Sequence, residues 1–403
     1  MAKPFLSLEE KLDHLRRYFD FTEEELKDIA RFYSLDESSL NTQGVQRLLA
    51  ESKRLCDEFN AAKRPKNSTW YYLRRLFPRC PNVVVVRRGL SVVIGTVFLG
   101  KTAFVNVNTT FGTMVDVTVG HNAQFGPNTY IGVERPCKIV IDPYAWICSG
   151  VRILSSANIG RCSVVAAGAV VNEDVSPSAL YVGRPAAYKK DIEKGDFLTP
   201  LDLSFYTDEE EAFVRKRMKE EGSGRPKALF TRVIKGKLFS TLNLPVSFHY
   251  LRTHALCRKL DDPSLTSEER EKVIDALFPI HGKNVRIGKN FFIDLVGTVA
   301  LGDNVSIGDN VSLGGLVRLG DNVTIEDNST LFASNHPLDY SMRGVGFYKG
   351  LGLSIPVQYF PVTVNPGVHI GKRCVAAPKT VVDADLPDDS LVLGKGKVIP
   401  LSK

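Results

Sequence analysis

No apolar run in the chain approaches the roughly 20 residues needed to cross a bilayer, so a membrane-spanning protein is not expected. The opening stretch, MAKPFLSLEEKLDHLRRYF, lacks the apolar centre of a signal peptide and has amphipathic spacing instead, which makes the cytoplasm the expected location. Seven cysteines, at 56, 80, 137, 148, 162, 257 and 374, include no CxxC pair and no His/Cys cluster. Reduced, buried thiols are expected, with no metal site and no disulfide framework. The net charge of +7 is modest, and basic residues come in pairs such as Arg74-Arg75 and Lys189-Lys190, never in a long tract interleaved with aromatics. A nucleic-acid partner is therefore not expected, whereas an anionic small ligand suits the charge.

What the chain does have is a pair of ladders spaced by six. The first runs Ile141, Ile147, Ile153, Ile159, Val165, Val171; the second runs Leu301, Ile307, Leu313, Leu319, Ile325, Leu331. A period of six fits neither a free helix nor a simple strand. It predicts a parallel β-helix, in which short strands stack and one aliphatic residue per unit points inward. A small residue four places on supports this, as in Ala145, Val151, Ala157, Ser163 and Ala169, and again in Val305, Val311, Val317, Val323 and Ser329. The triplet GDN recurs at 302–304, 308–310 and 320–322. Gly, Asp and Asn tolerate tight corners, so these are read as turns and not as calcium loops, with one Asp per corner pointing outward.

Helical spacing precedes each ladder, at 8–19, 23–34 and 44–62 and again at 249–260 and 267–278. The expected organisation is a helical region over 1–80, a first β-helix over 81–192, a linker containing a helix over 193–248, a helical prelude over 249–282 and a second β-helix over 283–403. The order looks like an internal duplication.

The second ladder breaks between Leu331 and Val364, too long a gap to stay in the coil, so a loop must be extruded there. It begins Ser334-Asn335-His336-Pro337-Leu338-Asp339, with Arg343 following. Together with LCDEFNAA (55–62), FGPNTYIG (125–132), Trp146-Ile147, AAGAVV (166–171) and VGRPA (182–186), this resembles the hexapeptide-repeat sugar O-acetyltransferases of the maltose and galactoside group, over about 45–192 and 250–400. The resemblance implies a mainly β chain with two left-handed parallel β-helix domains. It also implies an acyltransferase that uses acetyl-CoA or another acyl-CoA, needs no metal, acts on a hydroxylated small molecule and assembles as a trimer or double-layer trimer.

It further implies catalytic roles for His336 and Asn335, and acceptor contacts from Asp339, Tyr340, Arg343, Asn106, Asn108 and Asp294. A CoA groove is implied along Trp146, Ser149, Gly150, Ala166, Ala167 and Gly168, with Arg184, Lys189 and Lys190 near its phosphates. The chemistry is consistent with this: a sugar-type hydroxyl is a poor nucleophile towards a thioester, and an imidazole of ordinary pKa ~6.5 is suited to take its proton.

The halves depart from the pattern in complementary ways. Between Ile131 and Ile141 the first half has no histidine and no room for the loop, while His121 sits in a GHN corner and reads as a turn residue. After its loop the second half keeps only Val364, Ile370, Ala376 and Val382 as inward positions, and reads FFIDLVG where the first half has Asn106 and Asn108. One half retains CoA-type coils and the other retains the base, so a site composed from both is one expectation. A non-catalytic trimeric scaffold or regulatory paralogue is the alternative. A carbonic-anhydrase-like metal enzyme is not expected, because His121, His336 and His369 lack the spacing for a three-histidine site.

Overall fold

The computed structural model describes residues 5–61, 69–132, 135–196, 244–332, 334–340, 358–394 and 396–400, and divides into two compact units, Met1–Asp191 and Ile192–Lys403. Each unit is a left-handed parallel β-helix preceded by helices. Among the described residues no helix is long and apolar enough to cross a membrane.

In the first unit the helices are α1 (Leu8–Tyr18), α2 (Glu23–Tyr33), α3 (Gln43–Asn60) and α4 (Thr69–Leu76). Ser7 with Glu10 and Thr22 with Glu25 form reciprocal capping boxes that satisfy the opening N–H groups of α1 and α2. One stripe of each helix turns inward: Leu12 and Leu15 on α1, Leu26, Ile29 and Phe32 on α2, Leu48, Leu55 and Phe59 on α3. Side chains then fasten the helices to the first coil. The Tyr33 hydroxyl donates to the Ile94 carbonyl at 2.7 Å, and the Asn60 side chain both donates to and accepts from the Leu90 backbone.

Beyond them the chain winds into three sheets of short parallel strands. Trp146 pairs with Val164, Arg152 with Val170 and Ile139 with Ala157, so the coils along the ladder take 18 residues, three units of six, while the coils before it take 20 or 22, as in Phe104 with Gln124 and Gln124 with Trp146. Every member of the ladder from Ile141 to Val171 is at most 1% exposed, which is the inward column that the spacing predicts. An antiparallel hairpin, Ala179–Val182 with Ala187–Asp191, closes the stack.

The second unit repeats the plan. Its helices are α5 (Leu244–Leu260) and α6 (Ser267–Leu277), the latter opened by a Thr266–Glu269 capping box. Helix α5 starts five residues before the expected 249 because Val246 packs against Leu295 and Tyr359. Most of the expected linker, 197–243, lies outside the described residues. The ladder from Leu301 to Leu331 is buried at 0–4%, and Val364, Ile370, Ala376 and Val382 continue it at 0–2%. Ser306 pairs with Thr324, 18 residues on, but Thr324 pairs with His369 and Leu316 with Pro361, each 45 residues on. The extra chain leaves the coil after Thr330–Phe332 and returns at Pro361–Val364, as an extruded loop must. The hairpin of Ser390–Leu393 with Lys397–Pro400 closes this unit.

Asparagine carries the left-handed backbone at the corners of the second unit: Asn284, Asn290, Asn304, Asn310, Asn322 and Asn328 all have φ between 53° and 63°. Their amides form ladders along the stack, Asn284 to Asn304 to Asn322 and Asn290 to Asn310 to Asn328, at 2.9–3.1 Å. The expected outward direction of the corner aspartates is corrected by the structure. Asp303, Asp309, Asp321 and Asp327 turn their carboxylates back along the stack to accept N–H groups of the preceding coil at 2.7–2.8 Å. The reason is that corner N–H groups have no strand partner, and a carboxylate one coil away supplies the missing acceptor. Asp309→Ala removes one such bond and is expected to lower the unfolding free energy of this unit by about 1 kcal/mol, measured by urea denaturation. An unchanged midpoint would show that these ladders contribute nothing.

Candidate active site

The start of the extruded loop forms one corner of the second unit. Ser334 and Asn335 pair antiparallel with Tyr359 and Gln358, which closes the base of the loop. His336 follows, half-buried, with its ring Nε2 2.9 Å from the Ser334 Oγ. Because Ser334 is 5% exposed and held in the pairing, it is a rigid support that sets the plane of the imidazole. On the far side of the histidine, Leu338 is fully buried and its N–H donates to the Asp196 carbonyl at 2.8 Å. The Asp339 carboxylate accepts the Gly195 N–H at 3.0 Å. Asp339, expected at the acceptor, thus fastens the loop to residues 195–196, whereas Tyr340 is exposed. Arg343 and the side chain of Asn335 lie outside the described residues.

Asp294 leaves strand Phe292–Ile293 at the same corner of the coil as Ser334 leaves Thr330–Phe332, both strands belonging to one sheet. Its carboxylate is 3% exposed and accepts the Tyr250 hydroxyl of α5 at 2.6 Å on one oxygen and the Tyr359 hydroxyl at 3.2 Å on the other. Burial, with Asp294 and Tyr250 beside it, raises the Tyr359 phenol well above its ordinary value, so it stays a neutral donor. Gly314 makes room for this arrangement: a Cβ there would lie 2.8 Å from Asp294 Oδ2 and 2.5 Å from the Phe332 ring. The corner therefore joins Tyr250, Asp294, Tyr359, Ser334 and His336 through direct contacts and one strand pairing.

In the first unit some of the residues expected at a CoA groove lie along one column of corners. Backbone bonds step along it from Asn128 to Val107, from Gly150 to Pro127 and from Gly168 to Ser149, which aligns Asn108, Gly150 and Gly168 in one column of corners. Their φ values are 56°, 66° and 69°. Ala166 donates its N–H to the Tyr181 carbonyl at 2.9 Å, and the Arg184 Nε donates to the Gly168 carbonyl. Ala166 and Ala167 are half-buried and Ser149 is buried, while Lys189 and Lys190 are exposed on the closing hairpin. Trp146, half-buried, lies between Gln124 and Val164 three residues before the corner. Asn106 spends its amide oxygen on the Val107 N–H at 2.9 Å. His121 is exposed at a corner with its ring against Tyr144, the turn position its sequence indicates.

No family model matches the chain. A Staphylococcus aureus protein named "Putative acetyltransferase" is 35% identical over 160 residues, spanning 36% of this chain and 80% of that relative. The chain belongs to the hexapeptide-repeat acetyltransferase family. Galactoside O-acetyltransferase of Lactococcus lactis is 30% identical over 117 residues, 26% of this chain and 56% of the relative. The chain spans about half the length of that protein and of a Schizosaccharomyces pombe relative, of which it covers 54%. A solved galactoside acetyltransferase in complex with coenzyme A covers 42% of this chain and 89% of its own, with a TM-score of 0.29 and 25% identity.

Three residues of the corner were not singled out from the sequence: Ser334, Tyr250 and Tyr359. Ser334 was within the motif and its neighbourhood to His336 was legible from spacing alone. The two tyrosines had no such signal, because they reach Asp294 across 44 and 65 residues of sequence.

Proposed function

We propose that the chain is a CoA-dependent O-acyltransferase, most simply an O-acetyltransferase, acting on a hydroxyl of a sugar, polyol or small hydroxylated metabolite, with His336 as general base. The observation that carries the reading is the placement of His336 at the mouth of the extruded loop, with its ring held by the buried Ser334. Its imidazole takes the proton of the acceptor hydroxyl as the oxygen attacks the thioester carbonyl. A tetrahedral oxyanion forms, for which a backbone N–H is a suitable donor. Collapse breaks the C–S bond, and the imidazolium returns its proton to the departing thiolate, so that ester and free CoA leave with His336 neutral again. Tyr250 and Tyr359 keep the Asp294 carboxylate in place at the same corner. The corner column of the first unit, from Ser149 and Gly150 to Gly168 with Arg184, is the groove assigned to CoA, and copies of the chain are assigned to a trimer.

The test is to incubate the full chain with acetyl-CoA and a panel of hydroxylated acceptors and follow thiol release. The protein's own thiols interfere little: six cysteines are buried, and burial pushes Cys56 and Cys374 up to about 11 and Cys80 to about 12. Acceptor-dependent release is expected. Absence of release with every acceptor would overturn the reading in favour of a non-catalytic scaffold.

A further inference from the structure

A cavity of about 1260 Å³ opens beside the His336 corner of the second unit. Its floor is the sheet formed by Val299–Leu301, Leu316–Leu319, Pro361–Val364 and Val381–Val382. Register places Ala300, Arg318, Thr363 and Val381 in one row across that sheet. Their neighbours Val299, Val317, Val362 and Val382 are buried in the coil, so strand alternation turns the row outward, into the cavity. The row holds the small or apolar side chains of Ala300 and Val381, the Thr363 hydroxyl and a single permanent cation, Arg318. Two more cations line the same space: Arg252 from α5, and Lys379, whose ammonium lies 4.5 Å from the Phe360 ring centroid. Against these three stands one carboxylate, Asp275, already 2.9 Å from His281 Nε2. Neither Arg252 nor Arg318 makes an ion pair among the described residues.

The cavity and the His336 corner share one residue, Tyr359. That residue lines the cavity, donates to Asp294, and pairs through its backbone with Ser334, which holds His336. An anion gains charge-assisted, bidentate bonds from the two guanidinium groups that a neutral sugar cannot make. We propose that this cavity is the acceptor subsite and that it selects a hydroxylated compound bearing a phosphate or carboxylate, with Arg318 and Arg252 meeting the anion and the outward row meeting the carbon skeleton. The proposal rests on the reading of His336 as base, since it assigns the class of acceptor that reaches it. The phosphates of CoA are the other source of the same chemistry, and the experiment separates the two.

Binding is measured by calorimetry on the full chain without any acyl donor, so its outcome does not depend on whether thiol release is found. Glucose 1-phosphate is compared with methyl α-glucoside, which carries the same free sugar hydroxyls without the anion. The phosphate is expected to bind at least tenfold more tightly, with the advantage shrinking as salt is raised. The exposed substitutions Arg318→Ala and Arg252→Ala should abolish the preference at unchanged melting temperature, while CoA affinity stays within twofold. Equal binding of the two sugars, or a preference that survives both substitutions, would overturn the proposal. A tenfold loss of CoA affinity in the variants would also overturn it, by assigning the cavity to the nucleotide.

Discussion

His336→Ala is expected to lose roughly 100- to 10,000-fold in kcat for acyl transfer, the range supplied by a positioned general base. The side chain is half-buried at a loop mouth and is not part of the coil core, so the melting temperature should change little. Wild-type activity should fall on the acid side as the ring is protonated, and the variant should lack that acid limb. Ser334→Ala tests positioning separately. Its Oγ lies 2.9 Å from the ring nitrogen, and removing it frees the imidazole to rotate without removing the base. An approximately tenfold fall in kcat with the KM for acyl-CoA unchanged is expected, because orientation matters in the transition state more than in binding. If His336→Ala retained thiol release within a factor of three, another group would have to be the base.

The second large effect is on stability. Lys11 of α1 reaches into the first β-helix and pairs with Asp116 at 2.8 Å, with the two residues 3% and 7% exposed. Burial lowers the Lys11 ammonium from its ordinary value, outweighing the attraction of Asp116, which says that the pair sits where charge is poorly solvated. Lys11→Met leaves the Asp116 carboxylate buried without its partner and is expected to cost about 3–5 kcal/mol. Lys11→Met with Asp116→Leu removes both charges and should recover most of that loss, since a matched apolar pair needs no desolvated ions. Urea denaturation of the wild type, both single variants and the double variant gives the coupling directly. Equal stability of the Lys11→Met single and the double variant would show that the ion pair is not what holds the helix there.

Much of the fold was legible because the β-helix repeats its demand on the sequence. One inward aliphatic per six residues writes the coil into the chain, and the inward columns are buried where the spacing puts them. The helices were legible for the same kind of reason: three of them begin at Ser or Thr followed by Glu three residues on, which closes a capping box locally. The direction of the corner aspartates was not legible. A single coil offers each carboxylate only solvent, and the N–H that it accepts belongs to the coil before, 18 or 20 residues away.

The candidate site divides along the same line. By itself the sequence determined that a loop leaves the second ladder and that His336 stands at its start, since both follow from counting residues along one repeat. Only the tertiary structure decided what surrounds that histidine. It turned Asp339 to residues 195–196, set Tyr250 and Tyr359 on the two oxygens of Asp294, and opened the Arg252–Arg318 cavity beside them. The physical reason is that a repeat specifies burial one coil at a time, whereas a buried carboxylate takes whichever donors the stacked coils and the packed helix bring within hydrogen-bond reach.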